Sequence, residues 1–300
     1  VPYCLSDSDG LHVRSILSFL GKDVIFPVLA WSDMTKENKV IPIQLDDGKV
    51  VEAVFYGSGT LCLSTQVGCV VGCPFCASGA KGFFRHLTFD EMMTQIEVAT
   101  NLCTPERITL SGIGEPLHNW DVTKQLIEDF ALPVSVTTTG SPLKHLRKLL
   151  QLPHNGVMLS LHSAIEATHK QLIPRGPSCE GLLQTLKEAW PTLSRNKKRK
   201  LGINYLLIDG INDSQQELDA MADVMRSFPE VTLHLLLCNT VEHATFRSPP
   251  DERLQEIHQF FRDQDIHCRR ANSWRRKEDG GCGTLMVRGL QGISEKTVAS

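Results

Sequence analysis

Thr60-Leu-Cys62-Leu-Ser-Thr-Gln66-Val-Gly-Cys69-Val-Val-Gly-Cys73-Pro-Phe-Cys76 is the stretch that decides how this chain folds. Its first six residues, Thr60–Thr65, read as a β-strand. A Gly- and Cys-rich loop follows and runs to Arg85. The next segment, Thr88–Leu102, reads as a helix with Thr88 as N-cap and Glu91 at the capping-box position. Strands are then predicted at Arg107–Ser111, Val134–Thr138, Gly156–Leu161, Leu201–Ile208 and Val231–Cys238. Helices are predicted between and after them at Asp121–Phe130, Pro142–Leu150, Cys179–Trp190, Ser214–Phe228 and Asp251–Gln264. Such alternation implies an α/β chain with a mostly parallel sheet and right-handed crossovers. Six units suit a partial (β/α)6 barrel with its chemistry at the C-terminal ends of the strands. Upstream, Lys39–Tyr56 alternates around Asp46-Asp47-Gly48, a hairpin signal, and Val1–Gly21 reads as a short helix.

Composition narrows the class. At 41% hydrophobic and 22% charged residues, the chain is that of an ordinary globular protein. No apolar run reaches bilayer length and no signal-peptide pattern opens the chain, so a cytoplasmic enzyme without membrane attachment is expected. The net charge of −3 does not itself suggest nucleic acid, but cations cluster at Arg195–Lys200 and again at Arg269, Arg270, Arg275, Arg276 and Lys277. Ten cysteines without a secretion signal argue against a disulfide framework. Cys62, Cys69, Cys73 and Cys76 crowd into one stretch, which points to metal chemistry in a reducing compartment.

Three thiolates spaced as Cys69, Cys73 and Cys76 reach three corners of a 4Fe–4S cube and leave the fourth iron open. An open iron chelates the amino and carboxylate groups of S-adenosylmethionine (SAM). One electron then breaks a carbon–sulfur bond and releases a 5′-deoxyadenosyl radical. Structural zinc wants four tetrahedral ligands, and no second Cys or His pair follows at a suitable distance. Two segments fit a SAM pocket in register with this loop. Gly112-Ile-Gly114-Glu115-Pro116 offers a turn and a carboxylate for the methionyl ammonium, and Ser160-Leu161-His162 ends the fourth strand of the series at the rim.

The stretch Thr60–Cys69, together with Cys282-Gly-Thr-Leu285, resembles the radical SAM RNA adenine C-methyltransferase family (RlmN/Cfr type), and the likeness runs from about Lys39 to Leu290. The resemblance implies a radical SAM partial barrel with residues 1–58 as an N-terminal helix and β-hairpin extension. Residues 59–300 would form the barrel and a C-terminal catalytic loop. It implies that Cys282 carries a methyl group taken from one SAM, that Cys62 resolves the tethered product, and that Glu52 is an acid/base group. SAM contacts carried over are Gly114, Glu115, Thr137 (in Thr137-Thr-Thr-Gly140), Ser160, Leu161, His162 and Asn239. An external one-electron donor of flavodoxin or ferredoxin type and an RNA substrate complete the expected partners. The chemistry calls for the extra cysteines because adenine carbons 2 and 8 are too electron-poor to attack a sulfonium methyl, whereas a thiolate is not.

Three departures from the family concern the substrate. Before the hairpin only about Val1–Lys36 stands where the family carries a helical RNA-binding domain. Lys277-Glu-Asp-Gly-Gly-Cys282-Gly-Thr-Leu285 replaces the family's Asp-Ile-x-Ala-Ala-Cys-Gly-Gln-Leu, and Leu237-Cys-Asn239-Thr240 replaces Pro-Trp-Asn-Pro. A second reading therefore keeps the same relay on a nucleotide, peptide or natural-product intermediate.

Overall fold

The computed structural model describes residues 38–241, 244–270, 280–281 and 283–289. The helix expected within Val1–Gly21, most of the second basic cluster and Cys282 itself lie outside the described residues.

The hairpin forms as its alternation predicts: β1 (Lys39–Gln44) pairs antiparallel with β2 (Lys49–Tyr56), burying Ile41 and Ile43. The second strand then pairs antiparallel with β3 (Thr60–Leu63), so the hairpin continues the main sheet. Past the third strand, β4 (Gln66–Gly68) and β5 (Phe83–His86) form a separate two-stranded ribbon around the cysteine loop. Helix α1 (Phe89–Thr100) follows, with the capping box complete: Thr88 Oγ1 accepts from the Glu91 amide and Glu91 accepts from the Thr88 amide.

The parallel series is β3, β6 (Arg107–Leu110), β7 (Val134–Thr138), β8 (Gly156–Ser160), β9 (Leu201–Leu207) and β10 (Thr232–Leu237), in that spatial order. Chain order equals spatial order, as a barrel wound one way requires. Every residue of β9 is buried, Asn204 included, as in a strand covered on both faces. Helices α2 (Trp120–Asp129), α3 (Leu143–Leu149), α4 (Glu166–Leu172), α5 (Cys179–Ala189), α6 (Arg195–Arg199), α7 (Gln215–Ser227) and α8 (Asp251–Asp263) intervene. The last of these buries Leu254, Ile257 and Phe261, the single stripe its periodicity predicts. Strand β11 (Cys268–Arg270) adds a further parallel edge to β10, and β12 (Arg288–Gly289) returns antiparallel to β2. The fold is thus the expected α/β partial barrel, with these two short strands added. No helix among the described residues is long and apolar enough to cross a membrane.

One titration reports on the end of the sheet remote from the cysteine loop. His154 is 3% exposed, and burial, reinforced by Lys197 and Lys200, lowers its imidazole to about 4. The unfolded chain takes up this proton near pH 6.5, whereas the native chain takes it up only near pH 4. Stability is therefore complete above pH 6.5 and falls as pH drops, by about 1.4 kcal/mol per pH unit. Urea titrations at pH 7 and pH 5 should differ by roughly 2 kcal/mol from this group. His154→Phe should remove that component, and an unchanged acid dependence in the variant would contradict the assignment.

Candidate active site

The C-terminal ends of the parallel strands gather the residues singled out above. The loop between β4 and β5 carries Cys69, Cys73 and Cys76, each partly buried. Beneath it lies an apolar cluster separate from the main core, formed by Val71, Leu172, Ile173, Leu206, Ile208, Leu236 and Cys238, with Cys69, Cys73 and Phe75 packed against it. Burial pushes the Cys69 thiol up to about 11 and the Cys73 thiol well above its usual value, and the charges of Cys76 and Glu115 add to both. The three thiols and Glu115 thus share one poorly solvated neighbourhood.

Among the described residues no group of three or more His, Cys, Asp or Glu side chains converges closely enough to hold a single metal ion. Tetrahedral zinc would draw its sulfurs to about 3.8 Å from one another. Three thiols spread along one loop suit the corners of a larger iron–sulfur cube. An orphaned acceptor stands nearby on β7: Thr137 Oγ1 is sealed from solvent and has no hydrogen-bond partner in the structure. A ligand hydroxyl or ammonium would satisfy it. The donor set and this unfilled polar position fit a 4Fe–4S cluster with SAM.

Gln66 organises the pocket, a role the local sequence pattern did not reveal. Its buried carboxamide oxygen accepts from the Val70 amide at 3.3 Å and from the Glu115 amide at 3.0 Å. One side chain therefore ties the cysteine loop to the Gly114-Glu115 turn. Glycine is required at 114, because φ is +111° and a Cβ would lie 2.6 Å from that of Gln66. The Glu115 carboxylate is fully engaged within the chain. It accepts from the Leu117 amide at 3.1 Å, from Thr138 Oγ1, and from the amide and hydroxyl of Thr139, both at 2.8 Å. Those four bonds latch the end of β6 to the end of β7 and fill the usual capacity of a carboxylate. A bound ammonium would share oxygens already in use.

Ser160, Leu161 and His162 lie together at the end of β8, all buried. His162 adopts φ +59°, and its Nδ1 sits 3.0 Å from the Asn204 carbonyl and 3.1 Å from the Leu206 amide nitrogen. Burial lowers this ring to about 3, so it is neutral at physiological pH and is no proton donor as imidazolium. Its edge-to-face contact with Phe75, 5.3 Å between centroids, braces the cysteine loop. Asn239 follows β10, next to Cys238, whose thiol feels the charge of Cys76.

Cys62, Val54 and Glu52 lie on one face of the sheet. Val54 stands directly opposite Cys62, and Glu52 is two residues along β2. The Cys62 thiol is 1% exposed and lies 3.2 Å from the Ser111 hydroxyl. The C-terminal segment crosses this face. Gly280 is packed against Val54, where an added Cβ would meet Val54 Cγ1 at 2.8 Å, and its carbonyl accepts from Tyr56 Oη at 3.3 Å. Glu52 accepts from the Met286 amide at 3.0 Å and from Arg288 Nε at 3.1 Å. Burial raises the Glu52 carboxyl, and these two donors oppose the rise. Between those anchors, the Gly283 carbonyl accepts from the Ala77 amide at 2.8 Å. A methyl placed on Gly283 would stand 4.0 Å from Cys76 Sγ. The residues flanking Cys282 thus touch the Cys62 face on one side and the cysteine loop on the other.

A match to the Radical SAM superfamily covers residues 63–222. The chain is 31% identical over 263 residues to a protein named "Probable RNA methyltransferase" from Pseudomonas aeruginosa (strain UCBPP-PA14), covering 85% of this chain and 75% of that one. It is 32% identical over 254 residues to a protein of the same name from Chromobacterium violaceum, with 82% and 71% covered. Its fold is similar to the crystal structure of a radical SAM methyltransferase from Sphaerobacter thermophilus, with a TM-score of 0.73 and 27% identity over 94% of this chain and 88% of that one.

Proposed function

This chain belongs to the radical SAM superfamily and is a radical SAM methyltransferase using a 4Fe–4S cluster and SAM, and from that premise we propose that it methylates an adenine carbon in RNA through a methyl-cysteine relay. The observation that carries the reading is the anchoring of Gly280 on Val54 and of Gly283 at Ala77 and Cys76. It holds Gly280 against the Cys62 face and Gly283 against the cysteine loop, which supports a relay between the two. Relatives named for RNA methylation supply the substrate class. Residues 59–300 act as barrel and catalytic loop, with 1–58 as an extension.

Cys69, Cys73 and Cys76 would hold the cluster, and the Gly114 turn, Thr137, Ser160–His162 and Asn239 would hold SAM. When bound, the pair supplies the 5′-deoxyadenosyl radical on receipt of one electron from an external flavodoxin- or ferredoxin-type donor. The apolar residues around the cysteine loop exclude water from that chemistry. The Cys282 thiolate accepts a methyl from SAM by displacement at carbon. Glu52, buried on the Cys62 face, takes a proton from the substrate side; burial suits it to that task by raising its proton affinity. After the S-methyl loses a hydrogen its carbon would bond to the base, with the displaced ring hydrogen leaving as a proton and one electron returning to the cluster. The Cys62 thiolate then attacks the Cys282 sulfur and breaks its bond to that carbon, which takes up a proton to become the new methyl. This leaves a Cys62–Cys282 disulfide that external thiol reopens. Such a cycle belongs in the reducing cytoplasm.

The test is anaerobic incubation with reductant, methyl-labelled SAM and total RNA, followed by nucleoside mass spectrometry. Label in a C-methyladenosine is the expected result. Label confined to small molecules or protein would replace the RNA substrate with the second reading, and absence of transfer to any fraction would remove the function.

A further inference from the structure

We propose that the β4–β5 ribbon is a stacking platform for unpaired RNA, with Phe83 and Phe84 receiving bases that flank the target. The proposal rests on the RNA reading above. Phe84 is 51% exposed and Phe83 39%, and among the described residues only Leu102 is another large apolar side chain so open to solvent. Successive strand residues point to opposite faces, so the ribbon offers one aromatic ring on each side. Phe83 leans on the His86 ring at 5.1 Å, and Lys49 Nζ lies 5.4 Å from the centre of the Phe84 ring.

The ribbon's position gives these rings a use. The Cys69 amide donates to the Gly82 carbonyl at 3.2 Å, so the ribbon and the cluster loop share backbone bonding. Gly68 makes the close approach possible: φ is +77°, and a Cβ there would lie 2.0 Å from the Gly82 oxygen. On the other side, Lys81 Nζ donates to the Val287 carbonyl at 3.3 Å, and Lys49 is in register with Gly289 of β12. The two phenylalanines therefore lie between the cluster loop and the segment that follows Cys282.

A base drawn into the catalytic mouth leaves its neighbours with unstacked faces. Aromatic side chains beside the mouth replace that stacking without regard to sequence, and adjacent lysines meet the phosphates. Arg85 is held by Asp47 at 3.0 Å and by Glu91 at 2.8 Å and fixes the ribbon; Lys49, which shares Asp47 at 3.3 Å, and Lys81 each have further N–H donors to offer a phosphate. An apolar protein partner would call for a continuous greasy patch. Here Lys49 borders the Phe84 ring and Lys81 stands two residues before Phe83 in the chain, a setting that suits a polyanion carrying flat bases.

The probe is a short single-stranded RNA containing 2-aminopurine and a terminal fluorophore, titrated onto the full anaerobically reconstituted chain. Phe84→Leu and Phe83→Leu should each weaken binding about tenfold and leave the slope of log affinity against log salt unchanged. Lys49→Gln should lower that slope by about one. Binding to the unaltered chain should quench 2-aminopurine, and the double Phe→Leu variant should lose the quench. RNA-independent 5′-deoxyadenosine formation should be retained, which establishes that the variants are folded. Wild-type RNA binding with full affinity and quench in both Leu variants would overturn the platform and leave the RNA reading intact. No binding of RNA by the unaltered chain, together with label in a non-RNA fraction, would overturn both.

Discussion

Cys69→Ala, Cys73→Ala or Cys76→Ala is expected to reduce both cluster assembly and 5′-deoxyadenosine formation to background. Anaerobically prepared wild-type protein should be brown and carry about four irons per chain. The loop has no spare ligand to offer, because the proposed cube would use all three of its thiols. Burial holds the Cys69 and Cys73 thiols protonated in the metal-free chain, so only a bound cation draws them to thiolate. Cys103→Ala is the control. That thiol donates to the Ala99 carbonyl at the end of α1, and its loss should leave iron content unchanged. Tightly bound zinc with no SAM cleavage after iron reconstitution would contradict the assignment.

The fold was legible where the pattern is long. The largely apolar run of β9, the stripe of α8 and the Thr88–Glu91 capping box each announce their element, and each forms. Short elements were not legible. Strands β4 and β5 have three and four residues, too few for periodicity, and the second exposes apolar side chains against the usual alternation. Helix α4 begins after Ile165 without a side-chain cap, and α6 reads as a charge run. At the site, cysteine spacing singled out the loop between β4 and β5 because its three thiols are close in sequence. The Gln66 link to Glu115 spans 49 residues, and no local pattern encodes it. Glu115 illustrates the same limit, since its sequence context suggested an open carboxylate and its partners Thr138 and Thr139 come from the next strand.

Cys282→Ala is expected to eliminate methyl transfer while leaving SAM cleavage measurable, because the cluster ligands and the SAM pocket are separate residues. Wild-type protein expressed with SAM should carry an additional methyl on Cys282, read by peptide mass spectrometry. Cys62→Ala should fail at a later step. Methylation of Cys282 and attachment to the base require no second thiol, whereas release does. The Cys62 thiol is 1% exposed and Gly280 packs against its neighbour Val54, so in the proposed relay a partner sulfur would arrive from that segment. Disulfide formation asks for roughly 4–7 Å between the two alpha carbons at that stage. A single wild-type turnover without reductant should accordingly leave a Cys62–Cys282 disulfide.

The relay is tested most directly by the mass of the Cys282 peptide from Cys62→Ala protein after anaerobic incubation with SAM, reductant and RNA. A methylene-linked adenine nucleotide on Cys282 is the predicted result, and the trapped base identifies the substrate. Normal turnover by Cys62→Ala, with no adduct on Cys282, would contradict the account.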